Sequence, residues 1–437
     1  MKKYKKIGIQ VPEILLPNSQ VDLYKWSVVA CDQYTSQPEY WKEVKELVGN
    51  NPSTLKIVFP EIYLEEAPKE ERIKNIQKEM DSYLENDVLK TIDNMVYVER
   101  TIGGKIRKGL ILAIDLEKYD YSPNSQTLIR ATEGTIIDRL PPRIEIRQDA
   151  SLELPHIIVL IDDPEKTVIE PLMEIKKSEN KLYDFELMMD SGHLEGYRVP
   201  IEYADQAALN LEKLADPEFF QNKYQVDDNY GVLLFAMGDG NHSLATAKAI
   251  WEKKKEQVGM DHPSRYALVE LNNVHDQSLF FEPIHRVLFD LQKDLITEFK
   301  EFYTDQVNII NCDSSSEMIK QVDSLIEGKH RIGLIQNHTY VVLEVNKPEQ
   351  NLSAGTIQKF LDKFLLNGGF NKIDYVHGSS VVCELGNKEH NAGIYLPAMS
   401  KNSLFKTVIL DSALPRKTFS MGESQEKRFY MECRKIK

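Results

Sequence analysis

The chain has 437 residues, 42% hydrophobic and 28% charged, which is enough apolar material for packed cores and excludes global disorder. Lys plus Arg number 54 against 68 Asp plus Glu, a formal charge of −14, so repulsion disfavours general binding to nucleic acid or to an anionic membrane. The longest apolar run, Val232 to Met237, falls far short of the ~20 residues of a membrane-crossing helix, and no apolar stretch follows the basic start Met1 to Lys6, so a cytoplasmic protein is expected.

In chain order, residues 40–48 and 70–87 read as helices. In the second, Ile73, Ile76, Met80, Tyr83 and Leu84 recur on one face. Residues 94–100 and 107–115 read as strands joined through Gly103-Gly104, a hairpin signal. Ile157 to Asp162 reads as a buried strand, and 204–214 as a helix stopping near Pro217. Residues 231–237 form another buried strand, followed by a glycine turn and a helix from Ser243 to Glu256. Strand-like segments at 266–274 and 279–289 follow. The pattern restarts near residue 290, with a helix around Met318–Ile326 ended by Gly328, a hairpin about Asn337-His338, and a helix capped by Ser400 and running to about 411. The four cysteines (Cys31, Cys312, Cys383, Cys433) lie far apart without a CxxC pair, which argues against a zinc ribbon or a disulfide framework.

The segment that points to chemistry is Gly238-Asp239-Gly240-Asn241-His242-Ser243. Two glycines flanking an acid permit positive φ and close approach of backbone to a ligand. The turn opens a helix, whose free N–H groups and positive dipole end attract an anion. Asp239 could hold Mg²⁺ on phosphate oxygens or act as a base, and His242 and Ser243 could donate hydrogen bonds. The plainer alternative is a tight connection in which Asp239 or Asn241 caps the helix.

The stretch Met237 to Ala247 resembles the signature of a bacterial and archaeal family known as domain of unknown function 1015, in which D-G-H-H-R-x-x-T-A is usual. Further likenesses are Arg130-Ala131-Thr132-Glu133-Gly134-Thr135, Asp138-Arg139, Pro155-His156-Ile157, Phe281 to Arg286, Asp374 to Gly378, and Pro415-Arg416-Lys417-Thr418-Phe419. The family turn is in turn similar to the phosphate-binding turn of the ParB/sulfiredoxin superfamily, which includes free serine kinases. The resemblance implies an α/β (α+β) fold with a ParB/sulfiredoxin-like nucleotide-binding core and a C-terminal α/β domain. Two departures stand out: Asn241 replaces the first family histidine, and Ser243 replaces the arginine that would clamp a phosphate.

Arg130, Arg139, Arg143 and Arg147 form a basic stretch in an acidic chain, and guanidinium suits bidentate phosphate recognition. Arg143 and Arg147 would share a helix face, yet Pro141-Pro142 and the alternation of Ile144 with Ile146 also suit an extended segment; surface ion pairing is the competing role. Glu133 is the candidate general base by its likeness to the family's H-E-x-T segment. His275-Asp276 and His285-Arg286 follow apolar segments, but no HxH or HExxH spacing is present, so no zinc site is expected. His285 and Arg286 keep standing through the resemblance, as do Lys417, Thr418 and Ser420. The loop Cys31 to Ser36 suits a ligand-facing loop or a capped turn.

The expected arrangement is a catalytic nucleotide-binding region over 1–290 and a C-terminal α/β domain over 291–437. Glu133, Asp239 and His242 are the expected catalytic residues. Gly238, Gly240, Asn241, Ser243, Arg130, Arg139, Arg143, His285 and Arg286 are the expected nucleotide contacts, with Asp239 on Mg²⁺. The expected reaction moves a phosphoryl group between ATP or ADP and a small hydroxyl metabolite, with free L-serine leading by analogy. A phosphatase or nucleotide hydrolase with the same site, and a nucleotide-sensing protein without turnover, are the rivals. No nucleic-acid or membrane partner is expected.

Overall fold

Strands over 96–102 and 105–115 alternate side chains between two faces, as a pleated chain must. Leu110, Leu112 and Ile114 enter one hydrophobic cluster, while Ile111, with Val96 and Val98, enters another. In the computed structural model, which describes every residue except Glu65, Ala67 and Arg416, these strands form the middle of an 11-stranded sheet. The chain divides into two units: Met1–Leu279 with Gly422–Lys437, and Phe280–Met421. The division falls ahead of the boundary expected near residue 290, because Phe281–Phe289 is a strand of the second unit's sheet. Residues 422–437 belong to the first unit rather than to a continuous C-terminal domain.

The main path of the first unit's sheet runs Lys181–Glu186, His193–Arg198, Val96–Ile102, Lys105–Asp115, Tyr266–Asn273, Ile158–Ile161, Phe235–Asp239, Ile129–Arg130 and Tyr119–Asp120. The Val96–Ile102 and Lys105–Asp115 strands are joined by Gly103 and Gly104, both at positive φ, as the expected two-residue hairpin demands. Ile158–Ile161 lies parallel to Tyr266–Asn273 and antiparallel to Phe235–Asp239. One face is covered by Leu244, Ala247 and Trp251 of the helix Asn241–Val258 and by Ala204, Ala207 and Leu211 of Ile201–Leu214. Trp26, Trp41 and the apolar residues of Lys69–Glu85 pack on the other.

The second face is not wholly apolar. Glu270 and Asn272 lie on it and are almost fully buried. Gly109, paired with Asn272, leaves the space they need: a Cβ there would sit 2.7 Å from Glu270 Cγ. Burial alone would push the Glu270 carboxyl up, but the guanidinium groups of Arg107 and Arg428, with Asn272, hold it below its ordinary value. Arg107 Nε stands 3.3 Å from one Glu270 oxygen and Arg428 donates to the other at 2.7 Å. Arg428 also meets Glu432 at 2.5 Å and the Pro155 carbonyl at 2.7 Å. Further along the same segment, Arg434 pairs with Glu153, which Arg147 also holds. Residues 425–434 are thus fastened to the sheet by buried charge and by Phe429, Tyr430, Met431 and Cys433.

The second unit has a 7-stranded sheet, antiparallel throughout its described strands, with the path Val307–Cys312, Thr339–Asn346, Lys329–Gln336, Ala392–Tyr395, Phe281–Phe289 and Lys372–His377; Phe419–Met421 pairs with the start of Phe281–Phe289. Asn337 and His338 both take positive φ in the expected hairpin turn. The helix Lys401–Asp411 begins after Ser400, but the Ser400 hydroxyl bonds Ser403 Oγ at 2.7 Å and does not cap the helix. The mixed α/β architecture expected from the sequence is the one observed. Among the described residues no helix is long and apolar enough to cross a membrane.

Replacing Arg428 with Met would leave Glu270 and Glu432 short of a buried partner. Breaking such a pair costs about 3–5 kcal/mol, so Arg428→Met is expected to lower the unfolding free energy of the first unit by that amount, read as a lower denaturant midpoint at unchanged slope; an unchanged midpoint would show that the network does not stabilise the fold.

Candidate functional site

The turn after Phe235–Asp239 is shaped by its second glycine. Gly240 has φ +75°, a region that residues with a Cβ enter at a cost of roughly 1–3 kcal/mol. A Cβ there would also lie 3.0 Å from Ile157 Cα and 3.4 Å from His156 Cδ2. Gly238, expected to share this role, is a strand residue and lacks positive φ; the strand simply runs farther than its apolar stretch. The helix Asn241–Val258 therefore starts two residues earlier than expected. Ser243 and Leu244 N–H both return to the Gly240 carbonyl, at 3.0 and 3.1 Å. Gly240 is the N-cap and has no side chain to offer, so no capping side chain meets the N–H groups of Asn241 and His242. That arrangement suits an anion.

The groups around this helix start come from separated segments. Asp239 Oδ1 accepts the Gly240 N–H at 2.9 Å, and Oδ2 pairs with Lys427 Nζ at 3.1 Å. Asn241 Nδ2 donates to the Glu133 carbonyl at 3.3 Å and to Thr135 Oγ1 at 3.2 Å, while its buried Oδ1 finds no hydrogen-bond partner among the described residues. His242 Nε2 accepts the Ile136 N–H at 3.3 Å. Residues 133–136 are thereby laid against the helix start. Tyr430 hydroxyl meets His156 Nδ1 at 2.9 Å and accepts the Cys31 N–H at 3.1 Å.

Arg143 lies on the helix Leu140–Arg147, which settles the choice between helix and extended segment. Its guanidinium is engaged bidentately by Glu61, at 2.8 and 2.5 Å, and it also donates to the Arg139 carbonyl. Arg139 is exposed, and no partner for its guanidinium is found among the described residues. Arg143 and Arg139 lie close enough to act on His242: burial first, then these two cations, hold the imidazole down at about 4, against the pull of Asp32.

Other expected residues are committed elsewhere. Arg130 is 3% exposed and turns toward the opposite end of the strand, donating to the Thr127 carbonyl at 2.8 Å and to the Gly231 carbonyl; a buried side chain so directed is a brace between strand ends and does not reach the turn. His285 and Arg286 belong to the second unit. There His285 Nδ1 accepts the Leu396 N–H at 3.1 Å, and Arg286 lies 5.5 Å over the Tyr375 ring. His275 pairs with Asp162 at 2.6 Å and not with its neighbour Asp276. Burial, with Asp32 and Glu61, pushes the Cys31 thiol well up, which removes thiolate character. Arg416 lies outside the described residues.

Lys427 was not singled out by the sequence. No motif surrounds it, and the one available signal is that Lys427 to Lys437 interleaves charges with Phe429, Tyr430, Met431 and Cys433, the pattern of a buried, ion-paired segment. No cluster of three or more His, Cys, Asp or Glu side chains able to hold a metal occurs among the described residues.

An α/β unit with a glycine turn opening an uncapped helix is the class defined by this geometry. The chain belongs to the family described as Protein of unknown function (DUF1015), whose model matches residues 14–364. No curated protein sequence matches it. Solved structures similar to it include a free serine kinase in complex with AMP (10% identity, TM-score 0.35, covering 75% of this chain and 91% of that one). A mutant free serine kinase in complex with ADP (11%, 0.36, 76% and 93%) and C-terminally truncated SbnI from Staphylococcus aureus (9%, 0.32, 74% and 81%) are also similar.

Because Nε2 accepts a backbone N–H, the proton of neutral His242 must sit on Nδ1. Nitrogen-detected NMR is expected to show an Nδ1–H tautomer at pH 6 that titrates near 4. The sign follows: the stability contributed by the neutral ring is complete above the ordinary value of 6.5 and is lost as pH falls toward 4. Protonation near 6.5 would disprove the assignment.

Proposed function

We propose that the turn at Gly240–His242 binds nucleotide phosphates and that the protein moves a phosphoryl group between a nucleotide, ATP or ADP, and a small hydroxyl metabolite. The observation that carries this reading is the uncapped start of an 18-residue helix behind a positive-φ glycine, with Lys427 paired to the preceding carboxylate. Asn241 and His242 N–H groups face the phosphates, and Arg139, unpaired among the described residues, offsets charge that develops in transfer. Glu133 acts as general base on the acceptor hydroxyl. Its backbone is held to Asn241, which keeps the carboxylate's anchor at the helix start. Free L-serine, or phosphoserine in the reverse direction, is the leading acceptor through the resemblance of the turn to that of serine kinases.

Mg²⁺ is usually held by one or two carboxylates together with phosphates and water. Asp239 offers one carboxylate and the described residues offer no larger metal cluster, a donor set that fits an ion shared with the nucleotide. Bound there, the ion would neutralise phosphate charge. One observation favours a second reading, nucleotide sensing without turnover: both Asp239 oxygens are already engaged, by Gly240 and Lys427.

Phosphorus NMR separates these readings. One sample contains Mg²⁺, ATP and L-serine; the other contains Mg²⁺, ADP and phosphoserine. A new phosphoserine or ATP signal is expected, reduced at least ~100-fold in Asp239→Asn, as for loss of one group that stabilises transition-state charge. Free phosphate alone would indicate the hydrolase, and binding without any new signal would indicate the sensor.

A further inference from the structure

We infer that Lys427 is a phosphate-contacting cation of this site, beside Arg139, exchanging Asp239 for the nucleotide's phosphate on binding; this rests on the nucleotide reading above. The first helical turn, Asn241 to Leu244, carries no Lys or Arg. Arg143 is committed to Glu61 and Arg130 is buried at the other end of the strand. Lys427 is the cation joined directly to the residue that precedes Gly240, and its side chain is 15% exposed.

The position of Lys427 is over-determined by contacts that are not its own side chain. Arg100 donates to the carbonyls of Gln425 at 2.7 Å and Lys427 at 3.3 Å, and Arg107 to that of Glu426 at 2.9 Å. On the other side Arg428 binds Glu270, Glu432 and the Pro155 carbonyl, and Tyr430 reaches His156, against which Gly240 packs. The segment would stay in place without the ammonium group. Those contacts, not the ammonium, fix the backbone, so the path of the segment does not by itself require a lysine here.

Chemistry does account for it. Asp239 is adjacent to the proposed phosphate position, and a carboxylate beside a phosphate is repulsive. A lysine on a flexible four-carbon stem can serve one anion and then the other without moving its backbone. An arginine tied bidentately, as Arg143 is, cannot.

The test measures dissociation constants for Mg·ADP and for adenosine, by calorimetry on the full chain, with melting temperature as a fold control. Lys427→Met is expected to weaken Mg·ADP by about tenfold or more, the scale of a charge-assisted hydrogen bond. Adenosine affinity and melting temperature should stay near wild type, and Lys427→Arg should recover most of the loss. Unaltered Mg·ADP binding in Lys427→Met would overturn the inference. So would an equal loss for Mg·ADP and adenosine, or a loss that accompanies a lowered melting temperature and is not recovered by Arg, because each marks a structural lysine. If the wild-type chain binds no nucleotide, the nucleotide reading itself fails, and this inference with it.

Discussion

A carboxylate buried in the middle of a sheet is the constraint around which the first unit is organised. Glu270 is 2% exposed, and in such a place an unpaired charge would cost several kcal/mol. Its compensation comes from Arg107 on the adjacent strand and from Arg428, far away in sequence. Arg428 cannot reach Glu270 unless residues 425–434 lie along the sheet, so one ion pair dictates the path of a whole segment. A hydrophobic pair of equal volume could hold that face as firmly. What charge adds is register: a guanidinium shared among Glu270, Glu432 and the Pro155 carbonyl fits one placement of the segment.

That register reaches the candidate site. The same segment carries Lys427 to Asp239 and Tyr430 to His156, and His156 and Ile157 form the wall against which Gly240 turns. The helix start supplies uncharged donors from a local stretch of sequence. Cations and carboxylates arrive from residues 133–143 and from 427 onward. A site assembled this way has its backbone geometry fixed by a strand–turn–helix unit, while its charge is set by segments that can change independently.

Elements with a strong period were legible. Helices over 38–48, 69–85 and 201–214, and both glycine or asparagine hairpins, follow from apolar spacing and turn chemistry. The strand leading to the turn reads four residues early, because an apolar run cannot reveal where its neighbours begin to pair; here Leu160, Val159 and Ile158 oppose Ala236, Met237 and Asp239. The Gly240 turn was visible because its requirement is local. The fates of Arg130 and Arg143 were not. An arginine in sequence announces charge but not its partner, and Glu61 or the Gly231 carbonyl becomes that partner only in the folded chain. Lys427 was hidden for the same reason: its meaning depends on Glu270, more than a hundred positions upstream.

The second unit begins and ends on paired strands, with Phe281 opposite Met421 and Pro283 opposite Phe419. Its two connections to the first unit therefore leave it side by side, about 5 Å apart as adjacent strands are. Closing a loop of that length with flexible chain would carry the entropy of a long closure. A folded insert with neighbouring ends replaces it by a short rigid clip. In synthesis residues 422–437, which carry Arg428 to Glu270 and Lys427 to Asp239, are made only after the whole second unit.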